Sequence, residues 1–577
     1  MQFPIINTKT EKHIYTNAFG GINKTEFATP SEFSYMKNMS SDCFPALSQS
    51  VKKDAVQINA DIKEIACALS PGYSASEMVG FTGVADGKFY YQNKYIPCRY
   101  PFMSLKGAKQ LIDLGGRIII APQMYSYEYL DEVKKGFILP LAEGCYDQQM
   151  AKVYSTTSGS RLTSFNINSQ SSDTWAKLGF SVGDSIIVKV TDENDKELEV
   201  IPLENKYEAC GTYQIVSAVV ASIDGHKMDV HMYNKKGEDS TIYQKDQYGN
   251  EVVFSTDYSK SDVTGDIIVY RYIPEMNNIC LHKNRLWGTS KSGNKIYASA
   301  PANPSQFFAL SGLSTDSWFT EVDNSGEFTG IRPFGGNVLA FKENSIYHIF
   351  GDRASNFNIP KVINNCGCID SRSICETDTA IYFLASDGVY EYSGGAPKNI
   401  SKNLGISEYF SAGAFSDGKK YYFSPNDEEH VFAYDREKRL WHTEAMFNLV
   451  CGIKFNNKIY FYAKDKMYKN SDSFDVPWEV VFCDITEESF EHKGINNIYL
   501  RIKNSENSYA EVFVSSGDAS PVFCGRTDEA GEYTFRIPVR FKKGDRYKIK
   551  ISGEGKCLIT ALERVVYKGG RAETRKG

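Results

Sequence analysis

Long apolar runs are missing from these 577 residues, and no stretch approaches the roughly 20 residues that a membrane-crossing helix needs. The first residues, Met1 to Lys12 (MQFPIINTKTEK), lack the apolar stretch of a secretory signal, so the sequence predicts a chain kept or assembled in a cytosol. An excess of positive charge is missing as well. Lys and Arg number 65 against 71 Asp and Glu, a formal net charge of -6. That balance excludes a protein that coats nucleic acid non-specifically, although it allows a ring through which DNA passes. Histidines number eight, dispersed without ligand spacing, and the G-x-S-x-G, H-E-x-x-H and P-loop patterns are absent. The thirteen cysteines, an odd number scattered from Cys43 to Cys557, read as reduced, mostly buried thiols rather than a disulfide framework. Cys366, Cys368 and Cys375 form the tightest group, but no fourth ligand accompanies them, so core thiols are expected and no metal.

Aromatics and glycine are what the chain has in quantity: 37 Tyr, 35 Phe and 45 Gly, with few apolar stripes at helical spacing. That bias favours strands and tight turns. One unit recurs, a turn followed by an apolar strand, a second turn and a short strand carrying an aromatic. Its copies begin at Asp86-Gly87 (before KFYYQ), Gly115-Gly116 (RIIIAP), Lys283-Asn284 (RLWGTS), Gly335-Gly336 (NVLAFK), Asp378-Thr379 (AIYFLAS), Asp417-Gly418 (KKYYFS) and Asn456-Asn457 (KIYFYAK). Seven hairpins of one design are expected, each the middle or outer part of a small antiparallel sheet. From the fourth copy onward the spacing is about forty residues, the period of a four-stranded propeller blade. A sandwich would also give many short strands, but it does not require hairpins that resemble one another.

The predicted fold is therefore all-β: a β-propeller of about six or seven blades with an inserted small β-domain and a C-terminal β-sandwich. Residues 1-140 are read as an N-terminal lead-in and the first blades. Residues 141-273 separate the second and third turns by far more than one blade and read as an inserted β-domain or barrel. Residues 274-470 supply the remaining blades. From residue 471 the period stops, and WEVVFCDI, NIYLRIK, AEVFVSS, YTFRIPVRF, RYKIKISG and LITALERVVYK alternate as sandwich strands over 471-568. The residues 569-577, GGRAETRKG, are expected to be mobile.

A propeller can hold a catalytic centre in its funnel, and Asp387, Asp435 and Asp484 lie near strand ends where a glycosidase would need converging carboxylates. Asp387 belongs to S-D-G and Asp435 to Y-D-R, both patterns of a turn capped by its own aspartate. His348 and His442 sit at hairpin positions beside aromatics and read as satisfied strand histidines. No catalytic, cofactor-binding or metal-binding residue is assigned, and no enzyme is expected.

The stretch NRLWGTSKSGNKIYASAPANPSQFF from Asn284 to Phe308 resembles the "R-x-W … iyaS … dP … F" run of structural propellers in tailed bacteriophages. It leads into GEFTGIRPFGGNVLAFKENSIYHIFGD, and IYFLASDGVYEYSGGAPKNIS and VFAYDREKRLWHTEA are similar to further segments of that family. The opening FGGINKTEFATPSEFSYMKNMSSDCFPAL resembles its start, while residues 141-273 have no counterpart. The family includes packaged-DNA stabilisation proteins and tail nozzles. The resemblance implies a virion component assembled in the host cytoplasm: a homo-oligomeric ring, a hexamer, against portal, adaptor or other tail proteins. DNA would pass through it without sequence-specific binding, and no cofactor is implied. It also implies architectural roles, with Trp287 and Trp441 between blades, Gly335-Gly336 and Gly394-Gly395 in tight turns and Lys342-Glu343 at a hairpin corner. A propeller that binds or hydrolyses glycans is the alternative.

Overall fold

The computed structural model describes the chain between residues 11 and 568, apart from short internal stretches of which 70-79, 142-150, 199-216 and 254-264 are the longest. Two compact units make it up, one of residues 1-70, 76-81 and 366-577, the other of residues 71-75 and 82-365. No helix among the described residues is long and apolar enough to cross a membrane.

In the second unit the strands Gly83–Ala85, Lys88–Tyr91 and Lys94–Ile96 pair antiparallel in the first blade. Three four-stranded antiparallel sheets follow. They comprise Gln110–Leu114, Arg117–Ala121, Tyr125–Glu128 and Leu139–Pro140; Met276–His282, Arg285–Ser290, Lys295–Ala298 and Trp318–Glu321; and Phe328–Phe334, Asn337–Lys342, Ser345–Phe350 and Asn358–Asn364. In the fourth, Gly335 and Gly336 both have positive φ, 57° and 79°. They close a two-residue turn between Phe334 and Asn337 whose twist suits a hairpin.

Successive sheets of this unit share cores. Cys280, Trp287 and Ile296 of the third sheet pack with Ile331, Ala340 and Tyr347 of the fourth. Between the second and third, Ile119, Ala121, Met276, Ile279 and Leu286 form one cluster, to which Leu141 and Ile273 both belong. The chain thus leaves and re-enters at one place. In between, an eight-stranded sheet has Lys227–Tyr233 and Ser217–Asp224 at its middle. Trp175 is buried beside it, its indole nitrogen donating to the His226 carbonyl at 2.8 Å.

The first unit carries three further blades: Cys375–Glu376, Ile381–Ala385, Gly388–Tyr392 and Lys398–Asn399; Ala412–Ser416, Lys420–Pro425, Val431–Asp435 and Leu440–Ala445; and Leu449–Phe455, Lys458–Ala463 and Met467–Asn470. The last blade obtains its fourth strand from the beginning of the chain, Lys53–Val56, in antiparallel register with Met467–Asn470. A parallel bridge joins Ala414 to Cys451, so the first strands of the sixth and seventh blades meet. Small residues make this possible. A Cβ on Gly413 would lie 1.6 Å from the Leu449 carbonyl oxygen, and one on Gly452 would lie 2.6 Å from the Phe415 ring.

Seven sheets of blade design thus follow one another among the described residues, and the fold class is a β-propeller with an inserted β-domain and a C-terminal β-sandwich. The recurrent hairpins lie where they were expected: five, such as Arg117–Ala121 with Tyr125–Glu128, are the second and third strands of their sheets, and Lys88–Tyr91 with Lys94–Ile96 is the outer pair of its own. The seventh turn, Asn456-Asn457, and the tail 569-577 lie outside the described residues.

The N-terminal stretch departs from the expected grouping of 1-140. Met39–Ser40, Leu47–Gln49 and Glu11–Thr16 join Cys557–Lys568, Lys493–Asn504 and Gly531–Pro538 in one sheet of the sandwich. Phe33–Lys37 joins Pro477–Phe482, Tyr547–Glu554, Tyr509–Ser516 and Val522–Thr527 in the other. Ile498, Leu500 and Ile502 face Val512, Ile549 and Ile551 across the core, and the same cluster continues through Phe19, Phe33 and Phe482 to Tyr421 and Trp441 of the sixth blade. Apolar burial fixes the N-terminal strands here, because their inward side chains complete a core that the C-terminal strands leave open.

Candidate functional site

The motif residues of the third blade fold inward. Trp287 is buried with its ring 4.9 Å from Phe357 and 5.7 Å from Trp318, and its indole donates to the His282 carbonyl. Arg285, two residues earlier on the strand, is equally buried. Its guanidinium donates to the carbonyls of Ser299, Asp316 and Ser314 and lies over the Phe357 ring. Trp441 packs against Tyr434 and donates to the Ile400 carbonyl of the fifth blade at 2.7 Å. Lys342, at the end of its strand, is fully buried. Its ammonium donates to Asn294 and lies over Phe328 and Tyr347. Gly394 and Gly395 sit in a bend between Tyr392 and Lys398.

The three weighed carboxylates have separate local partners. Asp387 is exposed and accepts from the Tyr390 hydroxyl at 2.7 Å. Asp435 is buried, accepting from Ser41 at 2.6 Å, from the Lys438 ammonium at 3.0 Å and from the Lys438 amide at 3.1 Å. Burial would raise its pKa, but these hydrogen bonds outweigh that and lower it. Asp484 belongs to the sandwich, near Lys548 and Arg546 at 3.7 and 3.8 Å. His348 is buried with its ring 4.0 Å from that of Phe350, and burial together with Lys361 lowers its pKa. Cys368 is buried and donates to the Asp370 carbonyl, while burial pushes the Cys366 thiol up to about 11, so it stays protonated. Among the described residues no group of three or more His, Cys, Asp or Glu side chains is placed to hold a metal.

One concentration of charge was missed by the sequence reading. Lys53, Lys420, His442 and Glu444 converge in the first unit, each with a side chain between 1% and 8% exposed. Strand alternation puts His442 and Glu444 on one face of Leu440–Ala445. Asp417 starts the strand Lys420–Pro425, which lies on the far side of Val431–Asp435, by accepting from the Lys419 and Lys420 amides, and the Lys420 side chain is buried there. The Glu444 carboxylate then receives the Lys420 ammonium at 2.7 Å, that of Lys53 at 3.3 Å and His442 Nε2 at 3.0 Å. Lys420 also reaches Ser40 and the exposed Asp42, and Ser50 donates to the Glu444 carbonyl. Burial would raise the Glu444 carboxyl, but Lys420, Lys53 and His442 hold it well below its ordinary value. Burial lowers His442; the Glu444 hydrogen bond opposes this, and Lys420 adds to the lowering. A carboxylate filled by three protein donors is a clamp, binding the chain's beginning to the sixth blade. Breaking such a buried pair by removing one partner costs about 3–5 kcal/mol. In the sequence only one signal pointed to it, a lysine opening a strand whose next residues, YYFS, are apolar or small.

The fold and this cluster define a β-propeller protein with a buried group of charged side chains in its sixth blade. No known protein family matches the chain, and neither does any curated protein. Similar solved structures include BamB from Moraxella catarrhalis, 13% identical, covering 62% of this chain and 95% of that one with a TM-score of 0.26. The β-propeller domain of Cps50 (Swd1) from Myceliophteria thermophila is 8% identical, covering 44% and 92% with a TM-score of 0.26. Exo-β-1,3-galactanase from Phanerochaete chrysosporium is 9% identical, covering 66% and 100% with a TM-score of 0.20. At these values the likenesses carry no argument about what this chain does.

Proposed function

We propose that this chain is a structural virion protein of a tailed phage, part of the axial head-to-tail or tail conduit that retains and releases the genome. The observation that supports it is the fate of the motif residues shared with phage propellers. Arg285, Trp287, Lys342 and Trp441 are all buried; Arg285 and Trp287 bond within their own sheet, while Lys342 and Trp441 bond to loops of a neighbouring one. Such residues resist load instead of turning over a substrate. In this reading the copies form a ring, a hexamer, docked on portal, adaptor or other tail proteins, because identical heterologous contacts close into a channel around DNA. The mildly acidic balance suits a wall along which phosphates slide.

Electron microscopy of intact particles tests it. Density for this chain on the particle axis, in a closed ring, is expected; its absence from the axial structure overturns the reading. Turnover of a glycan panel that vanishes in Asp387→Ala or Asp435→Ala would favour the glycan-processing alternative.

A further inference from the structure

The clamp around Glu444 has an uneven design: one carboxylate, two ammonium groups and a histidine. We infer that His442 is an acid-sensitive latch, whose protonation beside Lys53 and Lys420 releases the strand Lys53–Val56 from the seventh blade. This device is independent of the virion reading.

The geometry is set by three chain segments. Lys53 opens the strand that completes the seventh blade, and its ammonium lies over the Phe461 ring of that blade while it pairs with Glu444 of the sixth. Lys420 approaches from its own strand, and Tyr422, two residues on, is held above its ordinary pKa by burial and by Glu444, so it stays neutral. From the N-terminal stretch comes Asp42, 2.9 Å from Lys420. From the adjacent strand comes Asp435, already engaged by Ser41 and Lys438. Glu444 is therefore the buried anion for all three nitrogen groups. With His442 neutral, two cations face Glu444 and Asp42. An imidazolium would add a third, in a buried setting where charge without a partner is costly.

The sign follows from linkage. Burial lowers the pKa of His442 in the closed cluster against the opposing Glu444 hydrogen bond, whereas a cluster opened to water by release of Lys53–Val56 would return it to its ordinary value near 6.5. The stability that the cluster gives is complete above that ordinary value and is lost as pH falls below it. Opening should rise by up to about 25-fold between pH 7 and pH 5. Glu444 also has a lowered pKa, so its contribution is lost only below 4.5, outside this window.

Hydrogen exchange of the full chain at pH 7 and pH 5, corrected for intrinsic rates, reads the effect at Lys53–Val56. Wild type should lose protection there by up to about 25-fold. His442→Gln, which keeps a neutral donor toward Glu444, should show no such loss. Unchanged protection in wild type overturns the inference, and so does an equal loss in His442→Gln. Should that variant fail to fold, nitrogen resonances of His442 in wild type decide. An imidazolium formed while the strand remains protected overturns the latch, and a ring that stays neutral until the strand opens supports it.

Discussion

Arg285 gives its guanidinium to three backbone carbonyls, and its worth lies in the two buried ones, those of Ser299 and Asp316. Arg285→Met should lower stability by about 3 kcal/mol, read as a shift of the urea midpoint at constant slope, and Arg285→Lys should recover part of it. The weighed carboxylates separate in the same way. Asp435→Ala removes a buried cap and should cost about 2 kcal/mol, whereas the exposed Asp387→Ala should stay within about 0.5 kcal/mol. Equal costs would contradict this account. Asp435 was legible as a turn residue because Lys438 is three positions away. Its bond to Ser41 spans 394 positions and leaves no local trace. Lys53 and Glu444 are 391 apart, and a lysine at the start of a polar stretch reads as solvated until its partner is seen.

Strands were legible where local chemistry specified them. Gly335-Gly336 and Asp86-Gly87 supply the positive φ that two-residue hairpins need, and the apolar runs after them could only be buried. The strand Lys53–Val56, with the sequence KDAV, carries no alternation and no turn signal, so its place in the seventh blade could not be foreseen. Close packing between first strands was likewise invisible, since a glycine inside AGAFS looks like a weakness of the strand. Gly413→Ala tests its role. A methyl group against the Leu449 carbonyl forces two first strands apart and should cost at least about 2 kcal/mol. Gly335→Ala meets open space at a φ of 57° and should cost only about 1 kcal/mol. Comparable thermal shifts for the two would refute the close-approach argument.

At the scale of the molecule the repeat was visible in the sequence and the partition was not. Seven similar hairpins announced the propeller, but nothing in the polar N-terminal segments indicated that they complete a sandwich made by the other end of the chain. The departure point at Leu141 and Ile273 yields a direct test. Replacing residues 142-272 by a short Gly-Ser linker should leave the thermal midpoint of the remainder within about 4 °C, because both ends pack in one cluster. Loss of a cooperative transition would show that the inserted sheet is needed for the rest.

The pairing of first residues with last ones also sets a timetable for synthesis. As the chain emerges from a ribosome, Leu47 must wait for Ile559 and Lys53 for Asn470 before either finds its neighbour. Residues 11-56 thus leave the exit tunnel early and remain unpaired while hundreds more are added. A nascent chain stalled before residue 557 has its early blades but lacks the strand that Leu47–Gln49 joins, and it keeps apolar side chains such as Leu47 uncovered for chaperones and proteases to find. Leu47 is thus covered only once synthesis has reached Ile559.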